Sequence, residues 1–367
     1  MKIAVDISQA MYEGTGVGRY TSYLVEGLVR YAPAHEYIFF FSALRGKLPK
    51  KIEQLIRPPH RLVKVPLPPT ILEFLWNHVH ILPIETFTGN IDLVITSDWT
   101  FPPTKAKTMT TIHDLVVYRY PETSHPQIVS TQKKRLSYVL KKCDCIIVDS
   151  RSTKEDCIEI LSVPEKKIHV IYPPVEVKKP SKKMIDSVLD KYHIHKPYIF
   201  TSGKIEPRKN FDRLFKSFKE ADISQQLIVA GPKGWGTENL EKNPPISRDI
   251  QMLGYVSDED LYALYAGADF LVFPSLYEGF GYPAVEAMAL GCPVVGSSTS
   301  SLGEIIEGVG ITFNPNDEKD ITRALRQVSS DVVLRKQLSE KGIKKSKEFS
   351  LEKFGMSVKH LFDILLI

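Results

Sequence analysis

Cysteine and long apolar runs are both scarce in this sequence of 367 residues. Its four cysteines have the spacing of neither a zinc site nor a disulfide framework, which indicates reduced thiols. No stretch approaches the roughly 20 consecutive apolar residues that a membrane-spanning helix needs. The first residues run directly into a strand pattern, without the features of a signal peptide. We therefore expect a cytoplasmic protein whose membrane contact, if any, is peripheral and at the inner face of the cell membrane.

A strong excess of one charge is also lacking, because 48 Lys and Arg residues stand against 43 Asp and Glu residues. A net charge of +5 is too small to indicate nucleic acid as a partner. The excess is local: seven cations face only Glu53 between residues 45 and 64, and the mostly apolar stretch 71–83 follows. This pattern is typical either of a surface that contacts an anionic membrane or of a solvated charged face followed by a core helix. Both interpretations stay open.

Short apolar runs rich in β-branched residues alternate with helix-length segments, which is typical of βαβ units and parallel sheets. About 150 residues usually form one domain, so the length favours two. A strand ends at Pro173-Pro174, and a Lys- and Pro-rich run typical of a linker follows. We predict an α/β protein with two Rossmann-like domains, 1–175 and 176–350, and a final helix, 351–367, that packs on the body of the protein and returns to the N-terminal domain. The predicted strands with clear patterns are 2–7, 36–42, 62–65, 92–97, 107–114, 145–150, 198–203, 226–232, 249–256, 270–275 and 293–298.

Two motifs of the first half follow predicted strands. The glycines of GTGVGRY (14–20) allow the backbone to approach a ligand just before a helix N-terminus, which attracts phosphate, although many such loops carry glycine for geometry alone. His113 lies at the end of strand 107–114, at the edge where parallel sheets place their ligands. It is either a structural histidine or a hydrogen-bond donor to a sugar hydroxyl or a reacting oxygen. Its position favours the second interpretation.

Three cations follow the first strand of the second half. Lys204, Arg208 and Lys209 lie in SGKIEPRKN (202–210). Cations at the carboxyl end of a parallel strand can neutralise the charge that grows on a departing diphosphate. A solvated cationic turn is the alternative interpretation.

The segment EGFGYPAVEAMALG (278–291) predicts a loop that runs into a helix beginning near Pro283 and ending at Gly291. We expect Glu278 in the loop and Glu286 in the first helical turn, where the helix dipole favours their ionised form. An ionised carboxylate can accept hydrogen bonds from two neighbouring hydroxyls. Helix capping alone explains Glu286 but not the Gly-Phe-Gly after Glu278. The backbone amides expected to bind a further oxygen are those of Phe280, Gly281 and Tyr282.

One acidic run has the form of a metal motif but predicts a helix start. Asp258-Glu259-Asp260 has the Asp-x-Asp pattern, yet Ser257 and Asp260 have the spacing of a capping box. The other carboxylates and histidines do not have metal-ligand spacing. We therefore expect neither a metal nor another cofactor.

Taken in order, GTGVGRY, TIHDL, GKIEPRKN, GYVSDEDL and EGFGYPAVEAMALG resemble the motifs of retaining glycosyltransferases of family 4. The resemblance covers nearly the whole chain, and its most specific element is the acid pair with Gly-Phe-Gly after the first acid. It implies the GT-B fold, in which two Rossmann-like domains face each other across a cleft. It also implies that the N-terminal domain binds the acceptor and the C-terminal domain the nucleotide-sugar donor.

The resemblance implies a role for each matched residue. Glu278 would hold the transferred sugar, and Glu286 would hold the ribose hydroxyls. Lys204 and Lys209 would stabilise the leaving diphosphate, and His113 would contact the donor sugar. The catalytic set is then His113, Glu278, Lys204 and Lys209. The other expected donor contacts are Gly16, Val17, Arg208, the main chain of Val256, and Phe280, Gly281 and Tyr282.

Two further segments, SDWTFPP (97–103) and TIHDLVVYRYPE (111–122), most resemble bacterial mannosyltransferases of O-antigen, the lipopolysaccharide side chain, and other surface polysaccharides. This implies transfer of mannose from GDP-mannose, with retained configuration, onto a lipid-linked or growing glycan. A UDP-sugar donor with glucosyl or N-acetylglucosaminyl transfer is the first alternative. A GT-B sugar-nucleotide epimerase and a non-catalytic scaffold are the next. The sequence does not determine the oligomeric state.

Overall fold

A computed structural model describes residues 1–234 and 249–365 of the chain. The chain divides into two compact units, each built on one parallel sheet. Unit 1 comprises Met1–Pro174 and Ser350–Ile367, and unit 2 comprises Val175–Phe349. Each division lies one residue before the corresponding domain boundary expected from the sequence.

The sheet of unit 1 has seven parallel strands. They are β1 (Lys2–Asp6), β2 (Glu36–Ser42), β3 (Arg61–Val65), β4 (Leu93–Thr96), β5 (Lys107–Ile112), β6 (Cys145–Val148) and β7 (Ile168–Val170). Their order is β3-β2-β1-β4-β5-β6-β7, with every pairing parallel. The fully buried strands of this sheet explain the apolar runs in the sequence, because helices cover both faces of such sheets.

The helices of unit 1 differ from the prediction at the first glycine motif. Thr15 caps the first helix by accepting a hydrogen bond from the Gly18 amide at 3.1 Å, so the helix begins at Gly16. The prediction of a glycine loop through residue 20 is therefore wrong, and Gly16 and Val17 lie in the first helical turn. The described α-helices of this unit are Gly16–Tyr31, Lys50–Leu55, Pro69–Glu73, Glu85–Thr88, Val116–Arg119, Pro126–Lys142, Arg151–Leu161 and Leu351–Leu365.

The final helix, Leu351–Leu365, packs in the core of unit 1. Its buried side chains have the helical spacing that the sequence shows, and they are Leu351, Phe354, Val358, Leu361 and Phe362. The helix lies close against Gly16–Tyr31, where a Cβ on Gly355 would be 3.0 Å from the carbonyl oxygen of Gly27. Glycine at both positions therefore allows the two backbones to approach.

The sheet of unit 2 has six parallel strands in the described part of the chain. They are β8 (Tyr198–Ser202), β9 (Gln226–Ala230), β10 (Ile250–Gly254), β11 (Phe270–Phe273), β12 (Val294–Ser297) and β13 (Ile311–Phe313). Their order is β10-β9-β8-β11-β12-β13. The sequence predicts five of them and misses β13.

The helices of unit 2 include the predicted helix start at Ser257. The Ser257 hydroxyl accepts from the Asp260 amide at 3.2 Å, and the Asp260 carboxylate accepts hydrogen bonds from Lys191 and Tyr192. Ser257 therefore caps this helix, as predicted, and the Asp260 side chain anchors its first turn. The described α-helices are Lys182–Lys191, Phe211–Ala221, Asp258–Gly267, Tyr282–Ala289, Ser300–Ile306, Glu318–Ser330 and Val332–Ser346.

Three general properties of the described residues bear on function. All four cysteines are free thiols and buried. Within residues 1–234 and 249–365, no helix is long and apolar enough to cross a membrane. The same residues contain no group of three or more His, Cys, Asp or Glu side chains that could hold a metal ion.

Candidate active site

A turn and a loop of unit 2 meet at the carboxyl edge of its sheet. The 3-10 turn Pro207–Lys209 follows β8, and the loop 274–281 follows β11, which is the neighbour of β8 in the sheet. Parallel strands end at the same edge, so the two segments lie side by side. The Leu276 amide donates to the Arg208 carbonyl at 2.9 Å, and Arg208 Nη1 donates to the Tyr277 carbonyl at 2.7 Å. These contacts fix the turn against the loop.

Glu278 is the centre of a buried ion-pair cluster between these segments. Its Oε1 accepts a hydrogen bond from Lys209 Nζ at 2.5 Å, and its Oε2 lies 3.0 Å from Arg208 Nη1. Arg208 Nη2 also donates to Glu206 Oε1 at 2.7 Å. The four side chains are only 6–17% exposed. Sequence analysis identified three of these residues and missed Glu206. Glu206 lies in the motif SGKIEPRKN with Arg208 and Lys209, and this position could have identified it.

The charges of this cluster keep Glu278 ionised. Burial alone would raise the pKa of Glu278, but the positive charges of Arg208 and Lys209 lower it to about 2. Burial is also the largest influence on Lys209 and lowers its pKa, although Glu278 opposes this effect. The cluster thus offers an acceptor for sugar hydroxyls beside two cations suited to a diphosphate.

The backbone after Glu278 is held by the next helix of unit 2. The Ser301 hydroxyl lies 2.8 Å from the carbonyl oxygens of both Glu278 and Phe280, to which it can donate. Gly281 has a φ of 102°, and a Cβ there would lie 2.7 Å from Leu302 Cδ2. Both the left-handed backbone and the close approach require glycine. The second glycine of Gly-Phe-Gly is therefore explained by the geometry of the loop.

Glu286 lies in the helix Tyr282–Ala289, which follows the loop that contains Glu278. It is the fifth residue of this helix, so the prediction that it lies in the first turn is wrong. The helix begins at Tyr282, directly after the left-handed Gly281 and one residue before Pro283. The Glu286 side chain is 2% exposed, and the apolar side chains beside it in the helix are buried. A carboxylate this deeply buried needs a specific partner.

Three other predicted site residues of unit 2 lie outside this ion-pair cluster in the sequence and differ in their exposure. Lys204 is exposed in the connection that follows β8. Val256 is buried and lies two residues after β10, a strand at the end of the sheet. The Tyr282 ring meets the buried Phe280 ring edge to face at 5.2 Å. The structure thus brings Arg208, Lys209 and Glu278 into direct contact and leaves Lys204 at the surface.

In unit 1, His113 is held by an aspartate of the neighbouring strand. His113 directly follows β5, as predicted, and Asp149 directly follows β6. His113 Nδ1 lies 2.7 Å from Asp149 Oδ2, and its ring meets the Tyr20 ring edge to face at 4.6 Å. Asp149 is buried, and its Oδ1 has no hydrogen-bond partner in the described part of the chain. Sequence reasoning missed Asp149, although CIIVDS places it at the same sheet edge as His113.

Asp149 keeps His113 protonated at neutral pH. Burial by itself lowers the pKa of His113, but the charge and hydrogen bond of Asp149, with the charges of Asp98 and Asp114, raise it to about 9. Both ring nitrogens then carry protons, and Nδ1 donates to Asp149. His113 Nε2 is left as a hydrogen-bond donor with a fixed direction.

Replacing Asp149 by asparagine is expected to lower the pKa of His113 from about 9, because burial remains while the largest opposing charge is lost. The raised pKa means that the pair stabilises the folded state at and below about pH 6.5, and that this stability disappears as the pH rises through about 9. NMR titration of the histidine ring signals, assigned with His113→Gln, measures the shift. The signal of His169 in β7 is the internal control. An unchanged His113 titration in Asp149→Asn would contradict this account.

Gly16 and Val17 lie at the exposed start of the first helix of unit 1. The partial positive charge of a helix N-terminus favours an anion at this place. A Cβ on Gly18 would lie 2.2 Å from the carbonyl oxygen of Tyr12, so this glycine is needed for close backbone packing. Unit 1 therefore contains Gly16, Val17 and His113, and unit 2 contains the other predicted site residues.

Comparison with known proteins identifies the family. The model described as Glycosyltransferase Family 4 matches residues 14–179, and the model described as Glycosyl transferases group 1 matches residues 190–345. The O-antigen chain mannosyltransferase B of Escherichia coli is 32% identical over 261 residues, which cover 67% of each chain. The chain belongs to glycosyltransferase family 4. This glycosyltransferase is also 30% identical over 262 residues to the serotype-specific mannosyltransferase WbdA of Escherichia coli, but the match covers only 32% of that longer protein.

A solved structure confirms the fold of this glycosyltransferase. Sucrose-phosphate synthase from Thermosynechococcus elongatus superposes with a TM-score of 0.75 at 21% identity, over 100% of this chain and 99% of the other. At this identity the likeness shows the fold alone. The predicted α/β class and GT-B fold, with one Rossmann-like parallel sheet in each of two units, are confirmed.

Proposed function

We propose that this glycosyltransferase moves mannose from GDP-mannose, with retained anomeric configuration, onto a lipid-linked or growing glycan. The main support for the proposal is that Glu278 is held ionised between Arg208 and Lys209 at the carboxyl edge of the sheet of unit 2. The names of the two mannosyltransferase relatives support the choice of sugar. The motif resemblance supports retention and the role of unit 2 as the donor-binding unit.

The proposed reaction needs no covalent bond to the protein. The bond between the anomeric carbon and the diphosphate oxygen breaks, and an acceptor oxygen bonds to the same face of that carbon. The acceptor proton passes to the departing diphosphate. Lys209 and Arg208 stabilise the negative charge on this leaving group, while Glu278 accepts hydrogen bonds from the sugar hydroxyls. We propose that these protein cations replace a divalent metal ion, with Lys204 as a further, solvent-exposed cation.

The remaining site residues bind the ends of the substrates. Glu286 accepts hydrogen bonds from the ribose hydroxyls, and the main chain of Val256 contacts the base. In unit 1, which we propose binds the acceptor, the helix start at Gly16 contacts the donor phosphates. His113 donates a hydrogen bond from Nε2 to an oxygen of the transferred sugar. Asp149 stabilises the protonated ring, which makes His113 a donor rather than a base.

Thermal unfolding with a panel of nucleotide sugars tests the donor. A ligand at 100 times its dissociation constant stabilises a protein by about 2.7 kcal/mol. We expect GDP-mannose to raise the unfolding temperature in the presence of EDTA and UDP-glucose to leave it unchanged. A rise with UDP-sugars but not with GDP-mannose would overturn the proposed donor. No rise with any donor would favour a non-catalytic scaffold.

A transfer assay separates the remaining alternatives. We expect nucleotide release from GDP-mannose only when a glycan acceptor is added, and an α-linked product by NMR. Conversion of GDP-mannose into an epimeric sugar nucleotide without acceptor would favour an epimerase. A β-linked product would exclude retention, because the donor sugar is α-linked.

A further inference from the structure

A group of large apolar side chains is exposed in one short segment of unit 1. We call it the apolar ridge, and its members are Ile71, Phe74, Val79 and Ile81. They are 44%, 56%, 45% and 55% exposed, in that order. Single exposed apolar residues are common on proteins, but a contiguous group marks an interaction surface. The ridge contains no residue of the candidate active site.

The segment is anchored by buried side chains that keep the ridge facing outward. The helix Pro69–Glu73 continues into one π-helical turn, and within this turn Trp76 is fully buried and donates a hydrogen bond to the Leu82 carbonyl at 2.9 Å. The Ile81 amide donates to the Leu75 carbonyl at 3.0 Å, which folds the end of the segment back onto the turn. The exposure of the ridge therefore follows from an ordered backbone.

The same segment contains left-handed residues. His80 has a φ of 52° and Leu82 a φ of 67°. This conformation is unfavourable for residues with a side chain, and it is retained only where surrounding contacts determine it. Asn77, which is fully buried, supplies such contacts by donating to the Trp99 carbonyl and accepting from the Phe101 amide.

The neighbouring helix, Pro126–Lys142, places positive charge beside the ridge. Tyr138 of this helix stacks on His80 with ring centroids 4.0 Å apart. Lys142 lies four residues after Tyr138 in the same helix, so the two side chains are on the same face of that helix. Lys141 and Lys142 are both exposed at the end of this helix.

Glu73 is the acid of residues 71–83, and it does not offset the positive charge of Lys141 and Lys142 at the surface. Glu73 is buried, accepts a hydrogen bond from the Thr131 hydroxyl at 2.8 Å and lies 3.5 Å from His78 Nε2. Apolar side chains with lysines at their border are complementary to a lipid surface that has apolar chains beneath anionic headgroups.

We propose that the apolar ridge docks on an anionic lipid bilayer, with its side chains inserted between headgroups and with Lys141 and Lys142 on the headgroup phosphates. A stable protein interface uses about 20–30 residues from each partner, far more than the ridge provides. Reversible docking on a membrane needs only a few inserted side chains and cations. The inference goes beyond the proposed transfer reaction and does not depend on it.

The structure bears on both interpretations of residues 45–83. In the basic stretch, Lys51 pairs with Glu26 at 2.9 Å and Lys64 pairs with Glu53 at 2.6 Å. These cations have partners within unit 1. The apolar stretch 71–83 is partly buried and partly exposed. Leu72 and Trp76 are buried, while the ridge side chains face solvent. The membrane surface is therefore assigned to the ridge and the lysines beside it.

Co-sedimentation with vesicles tests the proposal on the full chain. We expect binding to vesicles that contain phosphatidylglycerol, weaker binding to pure phosphatidylcholine, and a loss of binding as salt rises. Phe74→Ser with Ile81→Ser should weaken binding by about tenfold or more, and Lys141→Glu with Lys142→Glu should remove the preference for anionic lipid. The matched control is Val332→Ser with Val333→Ser, two residues of unit 2 that are 68% and 67% exposed.

Three outcomes would overturn the proposal. They are no binding of the parent to either vesicle, equal binding by parent and Phe74→Ser/Ile81→Ser, and an equal loss in the Val332→Ser/Val333→Ser control. A parent dimer that this ridge variant converts to a monomer in size-exclusion chromatography would assign the ridge to a second copy instead. Transfer to a water-soluble oligosaccharide should stay unchanged in the ridge variant, which separates failure of docking from failure of the proposed reaction.

Discussion

Replacing Glu278 by glutamine should lower the rate of sugar transfer by about 100- to 1,000-fold, with a much smaller change in donor affinity. Glutamine keeps the size of the side chain but removes the charge that Arg208 and Lys209 stabilise. The amide would also place a donor group where Lys209 Nζ now donates at 2.5 Å. Positive charge develops on the sugar as the diphosphate leaves, so the carboxylate contributes most in the transition state.

The measurement is kcat and the donor dissociation constant, determined separately with the same acceptor. The matched control is Glu318→Gln, which neutralises a half-exposed acid of unit 2 that lies 3.5 Å from Lys216. We expect the control to transfer at the parent rate. Equal turnover in Glu278→Gln and the parent would contradict the proposed catalytic role of Glu278. A selective loss of donor affinity would assign Glu278 to binding alone.

Lys209→Gln has the second largest expected effect, a loss of about 100-fold in kcat/KM. The substitution removes the cation nearest to Glu278 and, in the proposed reaction, charge stabilisation of the leaving diphosphate. It also raises the pKa of Glu278 above about 2, because burial remains while one of its two cations is lost. A lowered pKa stabilises the folded state at neutral pH and loses this effect as pH falls, so acid unfolding should begin at a higher pH in the variant.

Transfer kinetics and acid unfolding followed by circular dichroism measure the two effects. Lys216→Gln is the matched control, since Lys216 is an exposed lysine of the same unit that also lies near an acid. Lys209→Arg should restore more of the rate than Lys209→Gln, because it returns the charge. An unchanged kcat/KM in Lys209→Gln would remove this residue from the proposed mechanism, and an unchanged acid transition would contradict its effect on Glu278.

The sequence predicted the fold class because its signals are local. Alternation of short apolar runs with helical segments indicates parallel sheets, and among the described strands the pattern missed β13. Position in the sheet was also predictable for His113, since a residue that follows a parallel strand lies at the ligand-binding edge. The helix start at Gly16 was not predicted, because it depends on Thr15 capping a turn that three nearby glycines made resemble a loop.

The sequence by itself determined the two parallel-sheet units, the family motifs and the residue types of the proposed donor site. Only the tertiary structure decided which of these residues touch. Lys209 and Glu278 are 69 positions apart and meet because β8 and β11 are neighbours in the sheet, and Asp149 reaches His113 because β6 lies beside β5. Strand order is a property of the whole packed unit, since long-range pairing depends on total burial rather than on any local pattern. The protonation of His113 and the ionisation of Glu278 follow from that order, because charge acts through space and not along the chain.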